Sequence, residues 1–259
     1  MPRLRRKLAI IAATGLLALA GCDRPSADAP PQPSPSRETL GLMSSLPLYW
    51  PEGSDLADLA AGRGEAVWQR TAMEQAYALV LLDTLSPIAA LSPGAPETDP
   101  LAGLTRLAVI QPRGLSPTDN VALDNWVRGG GRLLLVLDPA LTGDYDLPLG
   151  DPRRPVDTAL IPPAVARWGM AVRFDNAQPA TVTTAGLAGA SLPLALSGRI
   201  AITDPKAGRC ALAAEGAAAI CRVGLGRVTL IADAALFEHP ELAGERGAGL
   251  REVLTAALE

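Results

Sequence analysis

Two uninterrupted apolar runs, Leu107-Ala-Val-Ile110 and Leu133-Leu-Leu-Val-Leu137, constrain the fold of this chain most. Neither run alternates polar with apolar residues, so each predicts a strand buried on both faces. Between them, Ser116 reads as an N-cap, with Pro117 at the first helical position and Asp119 in the first turn. Val121, Leu123, Trp126 and Val127 then supply an apolar helical face up to Arg128. Strand, helix, strand with fully apolar strands is the pattern of a parallel sheet covered by helices. The expected fold class is therefore α/β, doubly wound, with a mostly parallel sheet. Further elements are expected: a first strand in LGLMSSLPLYW, a short run at Tyr77–Leu82, a helix at Asp157–Trp168 and a strand at Met170–Phe174.

Residues 178–226 read differently. TVTTA, SLPLAL, RIAIT, CALAAE and AAAICRV are short strand-like pieces separated by Gly and Pro, which predicts an antiparallel β extension. The strand RVTLIAD then returns to the sheet, and GAGLREVLTAAL closes the chain as a helix.

The glycines Gly129-Gly130-Gly131 raise the question of a phosphate cradle. Phosphate loops run strand, glycines, helix, so that the anion meets a helix N-terminus. Here the order is helix, glycines, strand, and the glycines meet carbonyls and the negative end of the dipole. No nucleotide site is expected there. The carboxyl ends of the strands are a different matter, because ligands of open α/β sheets bind outside them. Asp83, Gln111, Asp138 and Asp233 each end an apolar run and form a candidate ligand rim. The aspartates could serve a metal-dependent hydrolase, or each could cap the backbone that follows it. There is no G-x-S-x-G elbow, and His239, the chain's one histidine, reads as a loop residue on the surface. No cofactor is expected.

The N-terminus carries its own address. MPRLRRK is basic, residues 8–20 are apolar, and Leu19-Ala20-Gly21-Cys22 closes the segment. This ending resembles the bacterial lipoprotein signal. The resemblance implies cleavage before Cys22, a lipid (palmitate-type) anchor on Cys22, and an envelope location on the periplasmic side. Asp23 resembles the signal for retention at the inner membrane. The expected organisation is a signal peptide at 1–21, a Pro/Ser-rich tether at 22–39 and a folded domain at 40–259. Removing residues 1–21 takes four of the 23 basic residues and none of the 27 acidic ones. The remainder carries a net charge of about −8, which argues against nucleic acid as a partner. The membrane, through the lipid, is the expected partner. Cys210 and Cys221 remain. If Glu215-Gly216 is a two-residue turn, they face each other across a hydrogen-bonded pair, roughly 5.5 Å apart at Cα, and a disulfide is expected.

The run LAVIQPRGLSPTDNVALDNWVRGGGRLLLVLDP resembles the core of exported domains in GldG-like, gliding-motility-type ABC-transporter auxiliary proteins. The matching positions are Pro112, Leu115-Ser116, Asp119, Trp126-Val127, Gly130-Gly131 and Asp138-Pro139. GLGRVTLIADAALFEHPEL resembles a later motif of that family, at Gly224, Gly226-Arg227, Asp233 and Leu236-Phe237. The resemblance implies a class I glutamine amidotransferase-like, flavodoxin-like fold. The catalytic cysteine and His-x-Glu of those enzymes have no counterpart here. It therefore implies a non-catalytic accessory or ligand-sensing role in a membrane complex, with ABC-transporter subunits as candidate partners. A metal-dependent hydrolase and a purely structural envelope lipoprotein stand as the alternatives.

Overall fold

A computed structural model describes residues 37–259 apart from 62, 63 and 91. The lipoprotein signal, Cys22, Asp23 and most of the tether lie outside the described residues. Among those described, no helix is long and apolar enough to cross a membrane.

The described residues form, in chain order, β1 (Glu38–Ser44), β2 (Tyr77–Leu81), β3 (Arg106–Ile110), β4 (Arg132–Val136), β5 (Met170–Arg173), β6 (Val182–Leu187), β7 (Ala190–Ala195), β8 (Arg199–Ile202), β9 (Arg209–Ala213), β10 (Ala218–Val223) and β11 (Gly226–Ile231). Seven of them make one sheet, in the order β2-β1-β3-β4-β11-β10-β9. From β2 to β11 neighbours are parallel, and β10 and β9 continue the sheet antiparallel. β5 pairs with β8 and β6 with β7 in separate two-stranded ribbons.

The uninterrupted apolar runs follow from burial on both faces. Leu133 and Leu135 point into one core with Leu107 and Val109, while Leu134 and Val136 join Ala108 and Ile110 in the other. Every residue from Leu133 to Leu137 is fully buried. The first core is closed by α3 (Pro117–Arg128), through Leu123 and Val127, together with Trp168. The second is closed by α6 (Ala248–Leu258) and the β6–β7 ribbon.

α3 starts where its cap dictates. The Ser116 hydroxyl accepts from the Asp119 N–H (3.0 Å), and the Asp119 carboxylate accepts from the Ser116 N–H (3.2 Å). Asp119 does more than close this box. Its other oxygen accepts from the N–H groups of Leu85 and Ser86 and from the Thr84 hydroxyl, at 2.8–2.9 Å. Burial pushes its carboxyl up, but the bonds from Ser116, Thr84, Leu85 and Ser86 outweigh that and hold it well below the usual range. At the other end of α3, Gly130 turns at φ 117°, and a Cβ on Gly131 would sit 2.4 Å from the Trp126 ring. These glycines stop the helix and let Trp126 pack on the turn.

The doubly wound, class I glutamine amidotransferase-like or flavodoxin-like assignment needs correction. Regular helical crossovers, which that class requires, are incomplete. The connection from β2 to β3 is the turn-rich DTLSPIAALSPGAPETDP, whose described residues form no helix and only one isolated bridge, Ile88 to Thr98. The helix expected at Asp157–Trp168 is reduced to one turn, α4 in order after α1 (Leu56–Ala60), α2 (Trp68–Glu74) and α3, at Pro163–Arg167. Pro162 and Pro163 forbid an earlier start. The strand after it forms, but β5 leaves the sheet to pair with β8.

Cys210 and Cys221 stand opposite each other in β9 and β10 and are disulfide-bonded. Their Cα atoms are 4.0 Å apart, closer to the spacing of a non-hydrogen-bonded pair than to the 5.5 Å expected. The register is the one that a turn centred on Glu215-Gly216 requires, with Ala213 opposite Ala218 and the Ala217 N–H donating to the Ala214 carbonyl (2.9 Å).

Candidate functional site at the carboxyl edge of the sheet

The predicted rim divides into a closed half and an open half. In the closed half, β4 and β11 end side by side on Asp138 and Asp233. Asp138 is fully buried and Asp233 nearly so. One Asp138 oxygen accepts from the Ala140 N–H and the other from the Ala234 N–H, both at 2.7 Å. Asp233 accepts from the N–H groups of Ala195 (2.7 Å) and Ala235 (2.8 Å). Each carboxylate thus serves its own following turn and one neighbouring segment. Asp138 ties β4 to the chain after β11, and Asp233 ties that chain to the end of β7.

Burial dominates the acidity of both groups. It pushes Asp138 up to about 7, with the charge of Glu238 adding to the shift. It pushes Asp233 up to about 8, with the charge of Asp138 as the next cause. Backbone N–H bonds oppose the rise in both and do not overcome it. Two facing desolvated carboxyls of like charge favour states in which a proton is retained by the pair.

Gln111 closes this half further. It is fully buried at the end of β3, in the left-handed region at φ 45°. Its Nε2 donates to the carbonyls of Asp138 (3.0 Å) and Val156 (2.9 Å), and its Oε1 accepts from the Asp138 N–H (2.8 Å). Both Nε2 hydrogens and the Oε1 atom are engaged in latching the loop after β4, and burial keeps the side chain from solvent.

A carboxylate that the sequence reading missed holds the same loop. Glu238, in α5 (Ala235–Glu238), accepts from the N–H groups of Thr142 and Gly143 (3.0 Å each) and from the Tyr145 hydroxyl (2.6 Å). Burial, then the nearby Glu238 charge, pushes the Tyr145 hydroxyl far up. His239 is half-buried rather than a free surface residue, and its Nε2 lies 2.9 Å from the Thr142 hydroxyl.

Asp83 belongs to the open half. It is exposed at the end of β2, three strand positions from β4. At the usual strand spacing that is about 14 Å from Asp138, so the three aspartates do not converge. No group of carboxylate, cysteine or histidine side chains among the described residues is arranged to hold a metal. Asp83 instead lines a cleft of about 220 Å³ at the ends of β1 and β2, together with Ser44, Leu46, Tyr49 and Trp50. Tyr49 and Trp50 stand edge to face, with ring centroids 4.9 Å apart. The Arg70 guanidinium lies 4.0 Å from the Tyr49 ring centre and 4.8 Å from that of Trp50, and is itself paired with Glu74. The signal for this cleft was present in the sequence. The chain has only four Trp and three Tyr, and two of these seven are adjacent just after the first strand.

No family model and no curated protein sequence matches the chain. Solved structures similar to it include the exo-β-1,4-mannosidase Op5Man5 from Opitutaceae bacterium strain TAV5, at 14% identity and a TM-score of 0.49, over 86% of this chain and 36% of that one. A β-galactosidase from Rahnella sp. R3 aligns at 11% identity and a TM-score of 0.46, over 85% of this chain and 32% of the enzyme. The GH42 β-galactosidase Gan42B aligns at 17% identity and a TM-score of 0.33, over 49% and 18%. The chain thus spans about a third or less of the length of these neighbours. They are glycoside hydrolases, not ABC-transporter auxiliary proteins or glutamine amidotransferases. The GldG-like resemblance is corrected on this finding. The non-catalytic accessory role and the ABC-transporter partnership that followed from it are withdrawn, as is the exclusion of an enzyme.

Proposed function

We propose that the folded domain is a saccharide-binding module, held at the cell envelope by lipid on Cys22, with its ligand in the Tyr49–Trp50–Asp83 cleft. The observation that carries this reading is the placement of two aromatic rings and an exposed carboxylate together at the open end of β1 and β2. Aromatic faces pack against the C–H face of a sugar ring, and a carboxylate accepts from its hydroxyls. Arg70 packs against both rings, so less side-chain freedom is lost on binding. The cleft is smaller than the ~300–1,000 Å³ of drug-sized sites, which fits one sugar residue rather than a long chain. The hydrolase likenesses, with TM-scores below 0.5, add no weight to this assignment.

Calorimetric titration of the full chain with short manno-, galacto-, gluco- and N-acetylglucosamine oligosaccharides tests the cleft. At least one is expected to bind, and Trp50→Ala is expected to weaken that binding at least about tenfold. Silence across all four sets, or binding that Trp50→Ala leaves intact, overturns the reading. The anchor is tested separately: Cys22→Ala is expected to release the protein from membranes and to block processing.

A further inference from the structure

A second pocket lies on the other side of the closed half. It has a volume of about 180 Å³ and sits among the segment before β6, the link from β7 to β8 and the β9–β10 turn. Its polar wall comprises Gln178, Thr181, Thr183, Ser197, Arg199 and Glu215. Gln178 donates to the Ser197 carbonyl (3.1 Å) and closes one side.

Three features indicate what it holds. First, Arg199 and Glu215 both line the pocket, yet neither forms a salt bridge among the described residues. Arg199 donates to the backbone carbonyl of Glu215 (3.2 Å), which spends one N–H and leaves the rest of the fork available. Second, Arg199 is directly opposite Arg173 in the β5–β8 ribbon. Like charges facing across an antiparallel pair repel, and an anion beside them offsets that cost. Third, Leu196 (φ 55°), Ala214 (φ 46°) and Glu215 (φ 54°) all line this one pocket. Non-glycine residues in the left-handed region concentrate where function demands the geometry.

We infer that this pocket binds a small zwitterion of the free α-amino acid type. Its carboxylate meets Arg199, with Arg173 adding positive potential, and its ammonium meets Glu215. The hydroxyls of Thr181, Thr183 and Ser197 complete the polar shell. This assignment stands on its own residues and does not depend on saccharide binding at Trp50.

Calorimetric titration of the full chain with glycine, L-serine and L-glutamine tests it, with propionate and ethanolamine as probes carrying one charge each. At least one amino acid is expected to bind, and each single-charge probe at least about tenfold more weakly. Arg199→Gln and Glu215→Gln are each expected to weaken binding at least about tenfold with an unchanged circular dichroism spectrum. Trp50→Ala is expected to leave it unchanged, which separates this pocket from the saccharide cleft. The inference is overturned if none of the three amino acids binds, if propionate binds as tightly as they do, or if either charge-removing variant binds like the parent.

Discussion

The two halves of the carboxyl edge begin from the same sequence signal and end as opposites. β2 and β4 both end on an aspartate. Asp83, on the outermost parallel strand, is exposed beside a cleft, whereas Asp138, in the middle of the sheet, is fully buried and bonded to two backbone N–H groups. The difference comes from what each strand end must support. β4 and β11 receive the loop after β4, α5 and the β6–β7 ribbon, and their carboxylates satisfy N–H groups that have lost water. β1 runs on into the segment carrying Tyr49 and Trp50, which leaves Asp83 beside an open cleft. A terminal aspartate therefore marks a strand end, and its place in the sheet order decides between support and binding.

The largest test of this contrast is to remove one carboxylate from each half. Asp233→Ala leaves the N–H groups of Ala195 and Ala235 buried without acceptors, and is expected to cost about 2–4 kcal/mol in urea unfolding. Asp83→Ala is expected to stay within about 0.5 kcal/mol of the parent. Equal losses would erase the distinction between the halves.

Stability against pH comes next in size. Asp138 and Asp233 are raised to about 7 and about 8, so the folded state keeps protons that the unfolded chain releases. Between roughly pH 4 and pH 8 the native state binds more protons, and stability therefore falls as pH rises through that window, levelling off above it. Stability is expected to fall from pH 5 to pH 8 in denaturant titrations. Asp138→Asn removes the like charge facing Asp233 and should flatten the slope. A stability that stays level or climbs from pH 5 to pH 8 would count against a desolvated pair.

The open half gives smaller effects, read in binding rather than stability. Trp50→Ala is expected to weaken saccharide binding by at least about tenfold, or 1.4 kcal/mol. Asp83→Asn keeps an acceptor but loses the charge, and should weaken it by about three- to tenfold, as for exchanging a charged hydrogen bond for a neutral one. A variant series in which Asp83→Asn exceeds Trp50→Ala would shift the weight of recognition from stacking to charge.

Much of the fold and part of the edge could be read from the residues. The apolar runs, the Ser116 cap and the glycine stop predicted β3, α3 and β4, because those signals are local and each is satisfied within a few residues of its origin. Cys210 and Cys221 were paired correctly for the same reason. Three of the four rim residues carry structural bonds that the sequence did not announce. Gln111, Asp138 and Asp233 bond to segments distant in sequence, the loop reaching Val156 and the end of β7 at Ala195. No local pattern records such partners. Glu238 was missed because its donors, Thr142, Gly143 and Tyr145, lie more than ninety residues away.

The sequence by itself determined which segments are buried on both faces, where α3 begins and stops, and that two cysteines share a hairpin. These follow from apolar periodicity, capping and turn chemistry, which act over short range. Only the tertiary structure decided the order of strands in the sheet, and with it the fate of each terminal aspartate. Burial, desolvation and backbone satisfaction depend on which segments meet at a strand end. That meeting placed Asp138 and Asp233 in the closed half and left Asp83 beside Tyr49 and Trp50 at the open one.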